Sequence, residues 1–468
     1  MHMNNETGEH ASPDAPENGP ANTPANVLAN GPANGPDRPI DWRTIFLASV
    51  GGGLEFYDFI VYGIFATYVA RSFFPTGIGT TPLIATFAAF AVGYIARPLG
   101  GLVLSHIGDK FGRRVAFQLS LVVMTLTTAG MALMPTYESI GVTASIAFVA
   151  LRFLQGACIG GELPGAIAYV VETAPKRSGL ACGVMFACVN SGSLLATLVS
   201  VGLHATLTEG EMLSYGWRIA FLVGGGLGAA GALMRRGLRE TELFLSIKQH
   251  KRARLPAVEV VQYHWRQIVA AIGIVGLNQA LIALLSVAMV PYLMQVASYP
   301  ANTASELVMF AIATMSVCIV IVGFLSDTFG KARIYMLGAV LIAAGSYPFY
   351  VVVATGAAHP FLIFGLAAVA VSFIAGTFGA LASELFPTSL RFSGLAIAYN
   401  LAAALLGGFT PLVTSLLTSA THDRAAPGLF ITAVSLVGLL GVVATVLGNS
   451  RASARHSQMR IERGEAVR

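Results

Sequence analysis

Twelve apolar runs recur along the chain, at roughly 44–72, 82–105, 115–134, 140–170, 180–205, 217–234, 266–295, 304–325, 334–356, 360–382, 393–418 and 428–448. About 20 apolar residues carry an α-helix across the hydrocarbon core of a bilayer, where the backbone must satisfy its own hydrogen bonds. Twelve such runs predict an all-α, polytopic membrane protein with twelve transmembrane helices. Only 11% of the residues are charged, against about 25% in a soluble domain. That difference excludes an ordinary water-soluble enzyme, and no nucleophile–base or metal constellation appears among the polar residues.

The basic residues give a second reading of topology, because Lys and Arg stay on the cytoplasmic side. With the N-terminus inside, 23 of the 28 Lys and Arg residues fall in cytoplasmic segments or at their helix ends. Arg71 and Arg424 fall in outer loops, and Arg97, Arg152 and Arg218 lie within the runs. Both termini are therefore expected in the cytoplasm. Trp42, Trp217 and Trp265 stand at run ends, where interfacial anchors belong. The net charge of +5 follows from this topology. It is not a nucleic-acid footprint, which needs basic residues clustered on a folded polar surface.

Composition divides the chain further. Residues 1–42 are rich in Pro, Asn, Gly and Ala, with GPAN at Gly19–Asn22 repeated at Gly31–Asn34, and read as a disordered cytoplasmic tail. No basic stretch followed by an apolar one marks a cleaved leader. Residues 43–235 and 265–448 each hold six runs. Between them, 236–264 reads as a cytoplasmic linker with an amphipathic helix around Glu240–Lys248, and 449–468 as a basic cytoplasmic tail.

The two halves echo each other. SHIGDKFGRR (Ser105–Arg114) follows the second run and GFLSDTFGKA (Gly323–Ala332) follows the eighth, aligning Asp109 with Asp327, Gly112 with Gly330 and Arg113 with Lys331. Glu172, Pro175, Arg177 and Gly179 are matched by Glu384, Pro387, Arg391 and Gly394. A repeat at this offset describes two duplicated six-helix bundles related as parallel repeats.

These loops resemble the signature of the major facilitator superfamily. Further motifs resemble its metabolite:proton symporter branch, which includes porters for α-ketoglutarate, citrate, shikimate and proline or betaine. They are LEFYDFIVYG (Leu54–Gly63), ARPLGG (Ala96–Gly101), RFLQGACIGGE (Arg152–Glu162), GWR (Gly216–Arg218), RRGLRET (Arg235–Thr241) and YNLAAALLGGFTP (Tyr399–Pro411). Ser105 replaces the first signature glycine, Phe56 stands where the branch usually has Trp, and Glu242 where it often has Pro. The resemblance implies two pseudo-symmetric six-helix bundles and alternating access. It also assigns conformational gating to Asp109, Gly112, Arg113, Arg114, Asp327, Gly330 and Lys331.

Ionisable residues inside a membrane cost about 2.5–3.5 kcal/mol on insertion scales and usually mark a substrate or ion path. Here they are Glu55 and Asp58 in the first run, Arg97 in the second, and Arg152 and Glu162 in the fourth. Runs seven to twelve carry no comparable mid-helix charge, so ion coupling is expected in the first half. Glu55, Asp58 and Tyr62 share one helical face by their spacing. Asp58 and Arg152 lie at similar depth, and a carboxylate that gains and loses an arginine partner is a two-state proton switch. A permanent ion pair that only fixes packing is the alternative. Proton coupling is assigned to Asp58, Arg152, Glu55 and Glu162. Arg97 can meet an anionic substrate or pair with Glu55. Substrate contacts are expected from Arg97, Tyr62, Asn278, Gln279, Tyr399 and Asn400, while Asn190 reads as a helix-packing amide.

The sequence thus predicts a secondary transporter that takes up a small organic acid or zwitterionic metabolite with protons by alternating access. Its partners are the metabolite, protons and the lipid bilayer, with no nucleic acid; it needs no cofactor or metal and is expected to be monomeric. Two alternatives stay open, a proton-driven exporter and a non-transporting nutrient sensor. Residues 183–202 lack the proline of the exporter motif, and a sensor would be expected to carry an added signalling domain, which these residues do not suggest.

Overall fold

The computed structural model describes residues 42–74, 82–111, 113–235, 256–387 and 390–462. The proposed tail, the Glu240–Lys248 helix and Gly112 lie outside them, as do the side chains of Glu55, Asp109, Arg113, Arg114 and Glu162. The described residues form helices and no strand. In the first half, α1 runs Trp42–Ile64 and, past Phe65, Ala66–Phe73, α2 is Pro82–Phe111 and α3 Arg113–Leu133. Next come α4, in two parts (Val142–Cys158 and Glu162–Thr173), α5 Ser178–Thr206 and α6 Trp217–Arg235. The second half begins with α7 (Trp265–Ala283, continued to Met289–Gln295), α8 Ala301–Phe329 and α9 Lys331–Thr355. It ends with α10 (Pro360–Ala375 and Phe378–Ser383), α11 (Arg391–Ala402, continued to Thr410–Thr421) and α12 Ala426–Glu462. Ten of these spans are long and apolar enough to cross a membrane by length and composition alone. α1 and α3 bring the spans to twelve.

The duplication is visible in the packing. α1 lies on α5, α2 on α4 and α3 on α6; six helices on, α7 lies on α11, α8 on α10 and α9 on α12. The halves meet along α5 with α8 and along α2 with α11, themselves equivalent pairs. Small residues set the spacing inside the first half. A Cβ on Gly156 would collide with the Gly93 carbonyl, and one on Gly100 with that of Ala157, so α2 and α4 touch backbone to backbone.

Prolines explain three interruptions. A proline lacks the N–H that would bond the carbonyl four residues back. Pro291 so frees Val287, inside the π-turn Leu284–Ala288 of α7; Pro411 frees Gly407, inside the π-turn Ala403–Gly408 of α11; and Pro164 frees Gly160, inside the 3₁₀ turn Ile159–Gly161 of α4.

One expectation changes, and two segments gain helical detail. Trp217 is fully buried, edge-on to Phe73 and Phe221, so it is a core residue and not an interfacial anchor; Trp42 and Trp265 are exposed at their helix starts. The linker region ends in a helix, Pro256–Tyr263, whose Val260 joins an apolar cluster with Ile268, Phe386 and Ala398. The last helix continues to Glu462, so most of the basic segment after 448 extends α12.

Candidate functional site

Two polar regions lie within the span bundle. The first is inside the amino-terminal half. Asp58 on α1 and Arg152 on α4 are both buried, and no ion pair joins them directly. Two neutral side chains link them instead. Thr128 Oγ1 on α3 donates to Asp58 Oδ2 at 2.8 Å. Gln155 Nε2 donates to that hydroxyl at 2.7 Å and to the Asp58 carbonyl at 3.2 Å, while Gln155 Oε1 accepts from Arg152. Arg152 donates and the Asp58 carbonyl accepts, which fixes the orientation of the Gln155 amide between them. Asp58 Oδ1 is buried with no hydrogen-bond partner and faces Gly224 of α6, where a Cβ would collide with it.

Arg152 is walled by aromatic rings. Its guanidinium lies 4.2 Å from the Tyr62 ring centroid and 4.9 Å from that of Phe90. Tyr62 donates its hydroxyl to the Thr86 carbonyl at 2.7 Å. It therefore belongs to this buried cluster and stands outside the lining of the cavity between the halves. Phe90 stands 5.0 Å from Tyr94, and the Arg97 guanidinium lies 4.9 Å over the Tyr94 ring, so a file of aromatic and cationic groups leads from Arg152 towards the interface of the halves.

The second region is at that interface. A cavity of about 20 Å³ is lined by Phe56, Asn190, Phe186, Asn278, Gln279, Phe378 and Tyr399, with Leu163, Val189, Ile282 and Ala375. About 10–15 Å³ of such volume holds one water, so the space as it stands admits little more than a single water molecule. Of the expected substrate contacts, Asn278, Gln279 and Tyr399 reach this cavity and Asn190 joins them, while Arg97 and Asn400 stand outside its lining. Asn278 Oδ1 is buried without a partner. Asn400 instead donates across the interface to the Gly160 carbonyl, the one freed by Pro164.

At the end bearing the basic loops the halves are latched. Asp327 accepts from the Gly179 and Leu180 N–H groups at 2.8 and 2.9 Å, placing a carboxylate on the N-terminus of α5, where the helix dipole favours it. Lys331 bonds Glu384 at 2.7 Å and lies 3.8 Å from Asp327. Gly330, at φ 95°, makes the turn between α8 and α9 that a side chain would strain. Arg391 reaches Glu172 of the other half at 3.2 Å. At the opposite end, Arg218 caps α3 by donating to the Ala132 and Met134 carbonyls. Sequence reasoning missed Thr128, Gln155 and Arg218 as site or capping groups. The i, i+3 spacing of Arg152 and Gln155, which puts them on one face, was the available signal.

A bundle of duplicated six-helix halves, with a small polar cavity between them and ionic contacts joining them at one end, has the architecture of a membrane transporter. The chain belongs to the major facilitator superfamily, whose family model matches residues 48–409. It is 29% identical over 431 residues to a putative proline/betaine transporter of Staphylococcus aureus, covering 90% of this chain and 91% of that one. It is also 29% identical over 415 residues to the proline/betaine transporter of Salmonella typhimurium, covering 85% and 82%. Among solved structures, a D-xylose-proton symporter superposes with TM-score 0.67 at 18% identity, covering 86% of this chain and 97% of that one. A partially occluded inward-open xylose transporter from E. coli gives 0.66 at 18%, covering 85% and 95%. The protein is a multi-pass membrane transporter and not an enzyme.

Proposed function

We propose that this transporter imports a compact zwitterion together with protons across the bacterial inner membrane, with both termini in the cytoplasm. The observation that carries the substrate class is the cavity lining. Phe56, Phe186, Phe378 and Tyr399 offer aromatic faces, Asn190, Asn278 and Gln279 offer amides, and among the described residues no charged side chain lines the space. Aromatic faces hold a substituted ammonium by cation–π attraction, and amides hold a carboxylate through N–H donors. A dicarboxylate or tricarboxylate would need cations in the lining. The proline/betaine transporters among the relatives support the same class.

Proton coupling is proposed at Asp58, buried inside the half that holds Arg97 and Arg152, with Glu55 and Glu162 as the other acids of that half. The Asp327, Lys331 and Arg391 contacts, with Asp109, Gly112, Arg113 and Arg114 in the equivalent loop, would open when the cavity turns to the cytoplasm.

Purified protein in liposomes with an imposed pH gradient tests this reading with labelled proline, glycine betaine, citrate and α-ketoglutarate, while an internal dye reads proton entry. Zwitterion uptake accompanied by proton entry is expected. Uptake of the carboxylates alone would overturn the substrate class, and accumulation indifferent to the pH gradient would overturn coupling.

A further inference from the structure

Thr128 belongs to none of the sequence motifs, yet its hydroxyl sits among three polar groups. Asp58 Oδ2 lies at 2.8 Å, the Met124 carbonyl at 3.0 Å and Gln155 Nε2 at 2.7 Å. A hydroxyl has one proton and two lone pairs, and an amide nitrogen only donates. Gln155 therefore occupies one lone pair permanently. The single proton can go to Asp58 or to Met124, but not to both.

We propose that Thr128 is the positioning residue that lets Asp58 stay buried in either protonation state. With Asp58 ionised, Thr128 donates to Oδ2. When a proton binds Oδ2, the acid O–H donates to the second lone pair of Thr128, and the threonine proton rotates to the Met124 carbonyl. Thr128 is thus satisfied in both states, with two hydrogen bonds when Asp58 is ionised and three when it is neutral, and the only motion is that of one hydroxyl. Gln155 keeps its bonds to Thr128 and to the Asp58 carbonyl throughout, so Arg152 keeps its partner.

Alternatives to this arrangement are few. Asp58 Oδ1 has no hydrogen-bond partner, so the Thr128 hydroxyl is the side-chain donor that addresses this carboxyl group. Among the described residues, the ionisable groups that act on it are Arg152 on α4 and Tyr57 beside it, whose hydroxyl donates to the Ala220 carbonyl of α6 at 2.9 Å. α3 contributes Thr128 and α6 contributes Gly224, neither of them charged. Leaving a buried carboxylate without its donor costs more than leaving the neutral acid without an acceptor. Removing the hydroxyl therefore favours the protonated form.

The proposal rests on Asp58 being the proton site, and the test separates the two claims. Wild type, Thr128→Val, Thr128→Ser and Asp58→Asn are reconstituted at matched protein content. Uptake of labelled glycine betaine or proline is followed against external pH at fixed internal pH. In Thr128→Val the midpoint should move to higher pH by about one unit, and Thr128→Ser should restore the wild-type profile. A Val profile that overlays wild type while Asp58→Asn loses its pH dependence overturns the Thr128 proposal alone. A wild-type profile in Asp58→Asn overturns the proton-site reading beneath it. If Val fails to fold, Thr128→Ala, which also lacks the hydroxyl, is read by the same criteria.

Discussion

The two halves share a packing plan and differ in what they bury. Among the described residues, Asp58, Arg97 and Arg152 are buried within the spans of the first half, whereas the buried polar side chains of the second are Ser, Thr, Asn and Gln. A charge buried in lipid is tolerated only where its partners are exact in number and place. A neutral amide or hydroxyl leaves a helix freer to bend and slide. On the proposed reading the comparison teaches a division of labour, with the ion-sensitive groups in the first half and, in the second, neutral polar groups beside the π-turns of α7 and α11.

The largest test of that division is Asp58→Asn. We expect gradient-driven accumulation to fall to background while counterflow persists, because asparagine keeps the shape but carries no proton. If Asp58 only neutralises Arg152, the variant instead loses about 3–5 kcal/mol and its membrane abundance drops. Normal abundance with full accumulation would shift the coupling to Glu55 or Glu162.

Gly224→Ala sharpens the comparison from the helix opposite. Its methyl would meet Asp58 Oδ1, whereas a Cβ at Gly226, on the same helix, meets nothing within 4 Å. Uptake should drop at least about tenfold in the first, the effect of roughly 1.4 kcal/mol in a bistable core, and stay at wild type in the second. Equal uptake in both would show that the carboxyl pocket tolerates overpacking.

In the neutral half, Asn400→Ala removes the donor to the Gly160 carbonyl. We expect a loss of about 1–3 kcal/mol from the closed state, read as faster cysteine labelling near Gly160 from the side of the basic loops, with pH dependence unchanged. A shifted pH profile would contradict the division between the halves. Smallest of all, Arg391→Gln breaks an ion pair whose Glu172 carboxylate is 42% exposed. The melting temperature should barely move, since exposed pairs contribute about 0–1 kcal/mol.

Much of this was legible in the sequence, for physical reasons. Apolar runs of bilayer length leave the backbone no option but helix, and Asp58, Arg97 and Arg152 stand out because charge in such a run is costly. Thr128 and Gln155 do not stand out, since neutral polar residues in spans serve mostly as packing groups and sequence does not say what they face. The same blindness grouped Tyr62 with the cavity residues, although here it packs on Arg152 outside the cavity lining. Trp217 misled because a tryptophan at a run end reads as an anchor whether it faces lipid or core. The helix interruptions lay halfway between: Pro164, Pro291 and Pro411 were visible, but the partner that takes up a freed carbonyl, as Asn400 does at Gly160, becomes known only from the fold.

The hydrogen-bond chain around Asp58 also bears on how the protein is made. Its two side-chain links are distant in sequence, Thr128 lying 70 residues after the acid and Gln155 97 residues after it. At about 5–20 residues per second of synthesis, α1 would wait roughly 4 to 20 seconds in the insertion machinery before those partners emerge. During that interval an ionised Asp58 would face lipid or the translocation channel alone. The span is therefore expected to enter as the neutral acid and to give up its proton only after α3 and α4 have docked, which makes the transported ion a participant in biogenesis before it is ever a passenger.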